Sequence, residues 1–466
     1  MFHIKTKTKR LLSDTFTPVS LYLKVRDQFS ASVLLESTDF RSVENCFSFI
    51  GIDPIARFVA QGNTVTETFT DGSKKVVNVG NNAVLPLFKQ FVTQFHVENT
   101  PSDPQGFNGF LGHTSYDAVQ YFDTMTLDKS KRTMDLPDIH YALYRYVIGF
   151  NHFKDEMTIL ENIPHGETSQ MPALEAILNS QSMPTFSFKL DGMERTNMTD
   201  DDFKRLVAKG KHHCQIGDVF QIVLSRNFSQ NFTGDDFQVY RALRSVNPSP
   251  YLFYFDYGSY KIFGSSPEQQ LTIKNRVAGV NPIAGTYKRT GNDEKDAQLA
   301  RKLARDPKEN AEHIMLVDLG RNDLGKHCKS VKVKDLKDIQ FFSHVIHIVS
   351  KVEGELRDDV NPIDVFADTF PAGTLSGAPK YKAIELIDAY ETQNRHFYGG
   401  AIGFIGLNGD LTHAIIIRSF LSKDNVLYRQ AGAGVVVSSV EEDELQEVNN
   451  KLGALKQAML VAETIN

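Results

Sequence analysis

The chain has no tryptophan and only three cysteines in 466 residues. Cys46, Cys214 and Cys328 show neither a disulfide-framework spacing nor a metal-ligand spacing, which suits a reducing compartment. None of them lies in a G-x-C-x-G-type nucleophile turn, so no cysteine is placed to cleave an amide. No apolar run approaches the roughly 18 residues that a membrane-spanning helix requires. A long basic run is also missing, and a net charge of −6 with a pI near 6.2 argues against a nucleic-acid partner. The basic start MFHIKTKTKRLL leads into neither an apolar h-region nor a small-residue cleavage site, so no signal peptide is expected and the cytoplasm is the expected location. There is no internal repeat and no low-complexity segment.

What is present is an ordinary globular composition, 41% hydrophobic and 23% charged, with ample material for a core. The stretch Ile163 to about Asp200 holds Pro164, Pro172 and Pro184 among Ser, Thr and Gln, and reads as a linker around a short helix at 173–179. It divides an N-terminal region, 1–190, from a C-terminal region, 191–466. The first reads as mixed strand and helix: a strand at 32–37, a β-rich run at 47–60 broken at Asp53-Pro54, helical spacing over 85–95, and an apolar segment at 106–122 leading into a helix. The second alternates helices near 199–215, 236–245 and 293–305 with strands near 219–228, 251–256, 270–278, 345–352, 401–407, 412–420 and 427–437. Asn408-Gly409 is a hairpin signal. Mostly antiparallel strands with intervening helices predict an α+β fold of layered antiparallel sheets with outer helices.

Two acidic helix starts carry the chemical signal. Asp306 reads as an N-cap with Pro307 at the first helical position and Glu309 three residues after the cap. Glu309 and Glu312 then share a face. Near the C-terminus Glu444, Glu447 and Lys451 form one stripe beside Leu445, Val448, Leu452, Leu455 and Met459. Two helices that each offer a Glu pair can share one hard divalent cation, with substrate oxygens completing its shell; the same acids are also what a helix dipole favours in a first turn.

Together with PIAGT (282–286), TLSGAPK (374–380), YGGAIGF (398–404), IIIRS (415–419) and QAGAGVV (430–436), this pattern resembles the chorismate-utilising enzymes, and among them the chorismate-binding component I of anthranilate synthases. The resemblance is dense from Gly217 to Lys451. It implies a substrate, chorismate, with two carboxylates and a hydroxyl that must leave. It places Mg²⁺ on Glu312 and Glu447, with Glu309 and Glu444 one turn earlier behind them. It makes Arg418 the fixed cation for a substrate carboxylate, with Gly432, Ala433 and Gly434 as a backbone cradle, and Gly285, Thr286, Thr374 and Tyr398 lining the same site. His347, flanked by apolar residues along a strand, is a core histidine on pattern alone; the resemblance sets it against the leaving hydroxyl, with His344 as a competitor. The missing tryptophan is in keeping with an enzyme of tryptophan synthesis.

Two positions separate the branches of this family. Water-adding relatives carry a lysine base where this chain has Gln221, and an amide cannot deprotonate water. Aminodeoxychorismate synthases read PIKGT with a nucleophilic lysine, and here Ala284 removes covalent catalysis. Both imply amination by ammonia and loss of pyruvate to give anthranilate, the ammonia coming from a separate glutamine amidotransferase subunit. An enzyme that stops at the aminated intermediate, as aminodeoxyisochorismate synthases do, and a silent chorismate-fold ligand sensor are the alternatives. Leu34–Ser37 and Asn247–Leu252 resemble the family's feedback site, which implies tryptophan as inhibitor at Ser37, Pro250, Tyr251 and Leu252, with Glu36 or nearby carbonyls for its ammonium.

Overall fold

The computed structural model describes residues 1–37, 46–98, 106–342 and 345–465. Side-chain alternation along the strands decides the architecture. On the strand Tyr251–Asp256, Phe253 and Phe255 face one way while Leu252 and Tyr254 face the other, the two-residue period of a pleated strand. Phe253 and Phe255 join Val33, Ile262, Leu421, Leu111 and Ile402 in an apolar layer between two sheets. Leu252 and Tyr254 join Leu34, Phe263 and Phe420 against the helices Asp200–Gln215, Phe237–Val246 and Glu441–Ala462. On the other side Phe58, Phe110, Leu271 and Ile405 pack against Asn81–Val92 and Pro362–Thr369. Helices, sheet, sheet and helices follow in layers, the α+β arrangement expected from the sequence.

The first sheet runs through Phe47–Gln61, Val33–Glu36, Tyr251–Asp256, Lys261–Ser266, Ser419–Lys423, Val426–Val435 and Gln221–Gly234, each antiparallel to the next. The second, continuous with the first where Phe47–Gln61 pairs along Ile139–Asn151, runs through Ile139–Asn151, Gly109–Thr114, Ala401–Gly406, Leu411–Ile415, Gln269–Lys274, Val277–Val280 and Val345–Leu356. Leu252 pairs with Glu36, and Gly109–Thr114 with Ala401–Gly406. Strands from both sides of position 190 therefore alternate in the sheets, and the two sequence regions share their cores.

Several elements differ from expectation in instructive ways. The strand Phe47–Gln61 continues through Asp53-Pro54, where Asp53 at φ 60 and a register shift absorb the proline. The segment 106–122 forms the strand Gly109–Thr114 and only a 3₁₀ turn, Tyr116–Tyr121. The expected linker has its expected short helix, at Met171–Leu178, but also a strand, Phe188–Thr196, that pairs with Gln221–Gly234. The run 270–278 is a hairpin turned at Asn275-Arg276, both at positive φ. The single strand expected over 412–420 is two strands, Leu411–Ile415 and Ser419–Lys423, with Arg418 at φ 50 in the break.

Candidate active site

The helix Pro307–Gly325 starts as its sequence predicts: the Asp306 side chain accepts from the backbone N–H of Lys308 and Glu309. The reciprocal Glu309 bond of a capping box is not made, which leaves Glu309 available to the site. The helix Glu441–Ala462 opens with Glu441, Glu442, Asp443 and Glu444 in its first turn. The tertiary fold sets these two helix starts against each other. Burial raises the Glu312 carboxyl above the usual range, and Glu447 repels it across the gap. Burial likewise raises Glu309, helped by repulsion from Glu312 and Glu447, and raises Glu444, helped by Glu447. Four carboxyls from two helices therefore share one field, the arrangement a cation relieves.

Gln221 opens the strand Gln221–Gly234 and is 3% exposed. Its Nε2 donates to Glu312 Oε1 at 3.0 Å, so the amide lies directly against the carboxylate pair. Gly434 stands opposite Val223 on the neighbouring strand, and a Cβ there would meet Gln221 Nε2 at 2.4 Å. Only glycine leaves room for that amide.

Lys451 ties the cradle to the acidic helix. Its Nζ donates to Gly432 O at 2.8 Å and pairs with Glu447 Oε1 at 2.5 Å. Tyr398, 4% exposed, hydrogen-bonds the Gly432 backbone, and burial pushes its phenol up to about 12. Arg418 follows the buried strand end Ile415–Ile417, and its left-handed backbone breaks the strand before Ser419. Among the described residues its guanidinium forms no side-chain hydrogen bond or ion pair. Burial lowers its pKa, against the attraction of Tyr398, Glu447 and Glu268. A part-buried cation without a paired carboxylate suits an anionic ligand.

His347 lies on Val345–Leu356 opposite Thr286. Its Nδ1–H donates to Gly285 O at 2.8 Å, so in the neutral ring Nε2 carries no proton. Burial, followed by the nearby Arg418 charge, lowers its pKa against the pull of the Gly285 bond. Gly285 has φ +67 and lies against Glu309, whose Oε2 would be 3.1 Å from a Cβ there. The Thr286 backbone follows in the same strand. His344 lies outside the described residues.

Thr374 leads to a residue that sequence reasoning missed. Its Oγ1 donates to Glu268 Oε1 at 2.6 Å. Burial raises the Glu268 carboxyl to about 7, opposed by Thr374, Lys451 and Arg418. Nothing in Ser265-Ser266-Pro267-Glu268 marks this acid beyond a proline after a strand. Only the pairing of Gln269–Lys274 with Leu411–Ile415, and the bond from Ile415 N to Glu268 O at 3.0 Å, carries it to the site.

The residues assigned to tryptophan form a separate place. Leu252 pairs with Glu36, so the two segments are neighbouring strands. Ser37 N donates to Phe47 O at 3.0 Å, and Tyr251 Oη to Gln269 Oε1 at 3.2 Å. Glu36, however, is gripped by Arg244 through two bonds of 2.8 Å and by Tyr240 at 2.6 Å. Its charge is spent inside the protein, which leaves the carbonyls of the two expected ammonium acceptors.

A model of chorismate binding enzymes matches residues 33–457. The chain belongs to this family. It is 36% identical to anthranilate synthase component 1 of Acetivibrio thermocellus, covering 98% of this chain and 96% of that protein. It is also 36% identical to the chloroplastic anthranilate synthase alpha subunit 2 of Arabidopsis thaliana, covering 97% and 81%. The crystal structure of anthranilate synthase component I from Streptococcus pneumoniae superimposes with a TM-score of 0.78 at 31% identity, over 96% of this chain and 99% of that one. The menaquinone-specific isochorismate synthase MenF of Escherichia coli shares the fold, with a TM-score of 0.75 at 18% identity over 98% and 95%. No helix among the described residues is long and apolar enough to cross a membrane.

Proposed function

We propose that this chain is the large component of an anthranilate synthase, which adds ammonia to chorismate and releases pyruvate. The observation that carries the reading is Gln221 held against Glu312, beside Arg418 and the Gly432–Gly434 cradle. The pocket binds a dicarboxylate but presents an amide, not a basic side chain, at the position where water-adding relatives keep a lysine.

Arg418 and the backbone of Gly432–Gly434 hold one substrate carboxylate. Mg²⁺ fits Glu312 and Glu447. Glu312 is partly buried and desolvated, Glu447 lies across from it, and Glu309 and Glu444 add negative charge behind them. No three His, Cys, Asp or Glu side chains among the described residues form a complete metal cage, so substrate and water oxygens would fill the remaining positions, as Mg²⁺ prefers. When bound, the ion supplies charge stabilisation at the second carboxylate.

Proton traffic follows from the two shifted groups. Glu268 is half protonated near pH 7 and suits proton delivery to the departing 4-hydroxyl, which leaves as water while nitrogen bonds to C2. His347 is largely neutral at that pH, so its Nε2 suits taking up a proton, either from the added nitrogen or from C2 as the enolpyruvyl C–O bond breaks. The resemblance sets His347 against the leaving hydroxyl; with its ring largely neutral, we assign that proton to the raised Glu268 carboxyl. We place the protein in the cytoplasm, with a separate amidotransferase subunit as its ammonia source, and read Ser37, Pro250, Tyr251 and Leu252 as a tryptophan feedback site.

The test is direct. Purified chain with chorismate, Mg²⁺ and an ammonium salt yields a fluorescent aromatic amine plus pyruvate, and glutamine does not replace ammonium. Turnover of glutamine by the chain alone refutes the two-subunit reading. A product that keeps its enolpyruvyl group makes the enzyme an aminodeoxyisochorismate synthase instead.

A further inference from the structure

The strand Gln221–Gly234 changes its hydrogen-bonding partner just after Gln221, and a buried ion pair takes up the exposed edge. At its start it pairs with Gly377-Ala378 on one edge, through Gln221 and Ile222, and with Val426–Val435 on the other. Val223 N still reaches Ser376 O at 2.9 Å. Beyond that point the first partner ends, and the next groups on that edge, Val223 O and Ser225 N, would have no ladder to join. A backbone group left unmet at this depth carries the full cost of its lost hydration.

Arg395 and Glu391 take the place of the missing strand. Arg395 Nη2 donates to Val223 O at 2.6 Å, and Glu391 Oε1 accepts from Ser225 N at 2.9 Å and from Ser225 Oγ at 2.8 Å. The two side chains are joined by Arg395 Nε to Glu391 Oε2 at 2.9 Å and Nη2 to Oε1 at 2.5 Å. Arg395 Nη1 also donates to Leu375 O at 2.5 Å. The guanidinium lies 4.8 Å from the Tyr116 ring centre and 5.8 Å from that of Tyr398. Arg395 is 2% exposed and Glu391 4%.

Each segment gripped by this pair carries a residue of the site, and among these residues Tyr398 lies against the Arg395 guanidinium. Gln221 lies two residues before Val223. Thr374 precedes Leu375. Gly432 is the register partner of Ser225. From this convergence we propose that Arg395, with Glu391, is a positioning residue for amination: it fixes Gln221, Thr374, Tyr398 and Gly432 relative to one another without itself meeting substrate. The inference rests on the function proposed above. A lysine at 395 keeps the charge but offers a single nitrogen, which cannot span Glu391, Val223 O and Leu375 O together.

The test compares Arg395→Lys and the milder Ser225→Ala with Leu386→Ala, a core truncation in the neighbouring helix Lys380–Tyr390. Ammonia-dependent turnover is measured per folded molecule, well below each unfolding midpoint, alongside amide hydrogen exchange over 221–225 and 374–376. Arg395→Lys is expected to lose about tenfold or more in kcat with KM for chorismate within about threefold, and to exchange faster in both segments. Ser225→Ala, which deletes the hydroxyl's bond to Glu391 and the one it accepts from Gln430 Nε2 at 2.8 Å while leaving the Ser225 N–H on Glu391, is expected to lose a few-fold in kcat and keeps the proposal testable if Arg395→Lys does not fold. Leu386→Ala is expected to lower the midpoint with kcat retained. Wild-type kcat and exchange in Arg395→Lys, or in Ser225→Ala should the lysine variant not fold, overturn the proposal, as does an equal kcat loss in Leu386→Ala. A wild-type chain that forms no anthranilate refutes the functional reading instead, and exchange in the two segments then still decides whether the pair fixes them.

Discussion

Gln221 Nε2 donates to Glu312 Oε1 at 3.0 Å, so the amide proposed to set this chain apart from water-adding relatives is clamped to the carboxylate proposed for the metal. That bond fixes the amide's orientation. Its Oε1 is buried and meets no protein donor among the described residues, which makes it an acceptor facing whatever N–H or O–H group enters there.

Replacing Gln221 with lysine therefore changes both ends of this contact. The ammonium still pairs with Glu312, but the acceptor is lost. Amination is expected to weaken, and some water addition to appear where desolvation lowers the lysine pKa. Assays with ammonium and with water as the only nucleophile check this; unchanged ammonia-dependent activity would remove Gln221 from the nucleophile's path.

Glu447→Gln is expected to lower turnover about a thousandfold or more, since one charged ligand of a hard-cation site is lost. The partner variant Glu312→Gln adds a stability readout. Burial raises the Glu312 carboxyl, so its stabilising form is the protonated one, fully present at low pH and lost as pH rises through the raised value. Metal-free Glu312→Gln should consequently be at least as stable as wild type at pH 8, while Mg²⁺ raises the unfolding midpoint of wild type only. A less stable, Mg²⁺-responsive variant contradicts the assignment.

Glu268 gives a pH signature. Its carboxyl is raised to about 7, chiefly by burial, and the protonated form is the one assigned to catalysis. The rate should fall as pH rises above about 7. Glu268→Gln should lose roughly 10²–10⁴-fold and with it that limb of the profile. An unchanged pH profile in the variant assigns the proton to another group.

Ser37→Arg is expected to relieve inhibition by tryptophan while sparing uninhibited turnover. Leu252 and Glu36 lie on neighbouring strands in the proposed feedback site, and Tyr251 bonds Gln269, the residue next to Glu268, which offers a short route between the two places. Coupling of about 1–3 kcal/mol is typical of such linkage. Tryptophan titrated into both proteins decides it: an uninhibited wild type, or an equally inhibited variant, ends the proposal.

The sequence by itself determined the parts whose signal is local. The Asp306 cap, the Glu309–Glu312 and Glu444–Glu447 spacings, and the strand alternation at 251–256 are all set by residues within a turn or two of one another, and they appear where the pattern puts them. The ordered motifs were legible in the same way. Tertiary structure alone decided what those parts face. The Glu268 carboxyl is raised to about 7 only because the pairing of distant strands desolvates it, with Thr374 bonded to it. Arg418 reaches the site because its strand breaks at φ 50, a conformation no local propensity announces for arginine. Glu36, open to ligand when read in sequence, is consumed by Arg244 from a helix some two hundred residues away. Burial and long-range partners set the protonation and availability of a side chain, and a linear pattern carries neither.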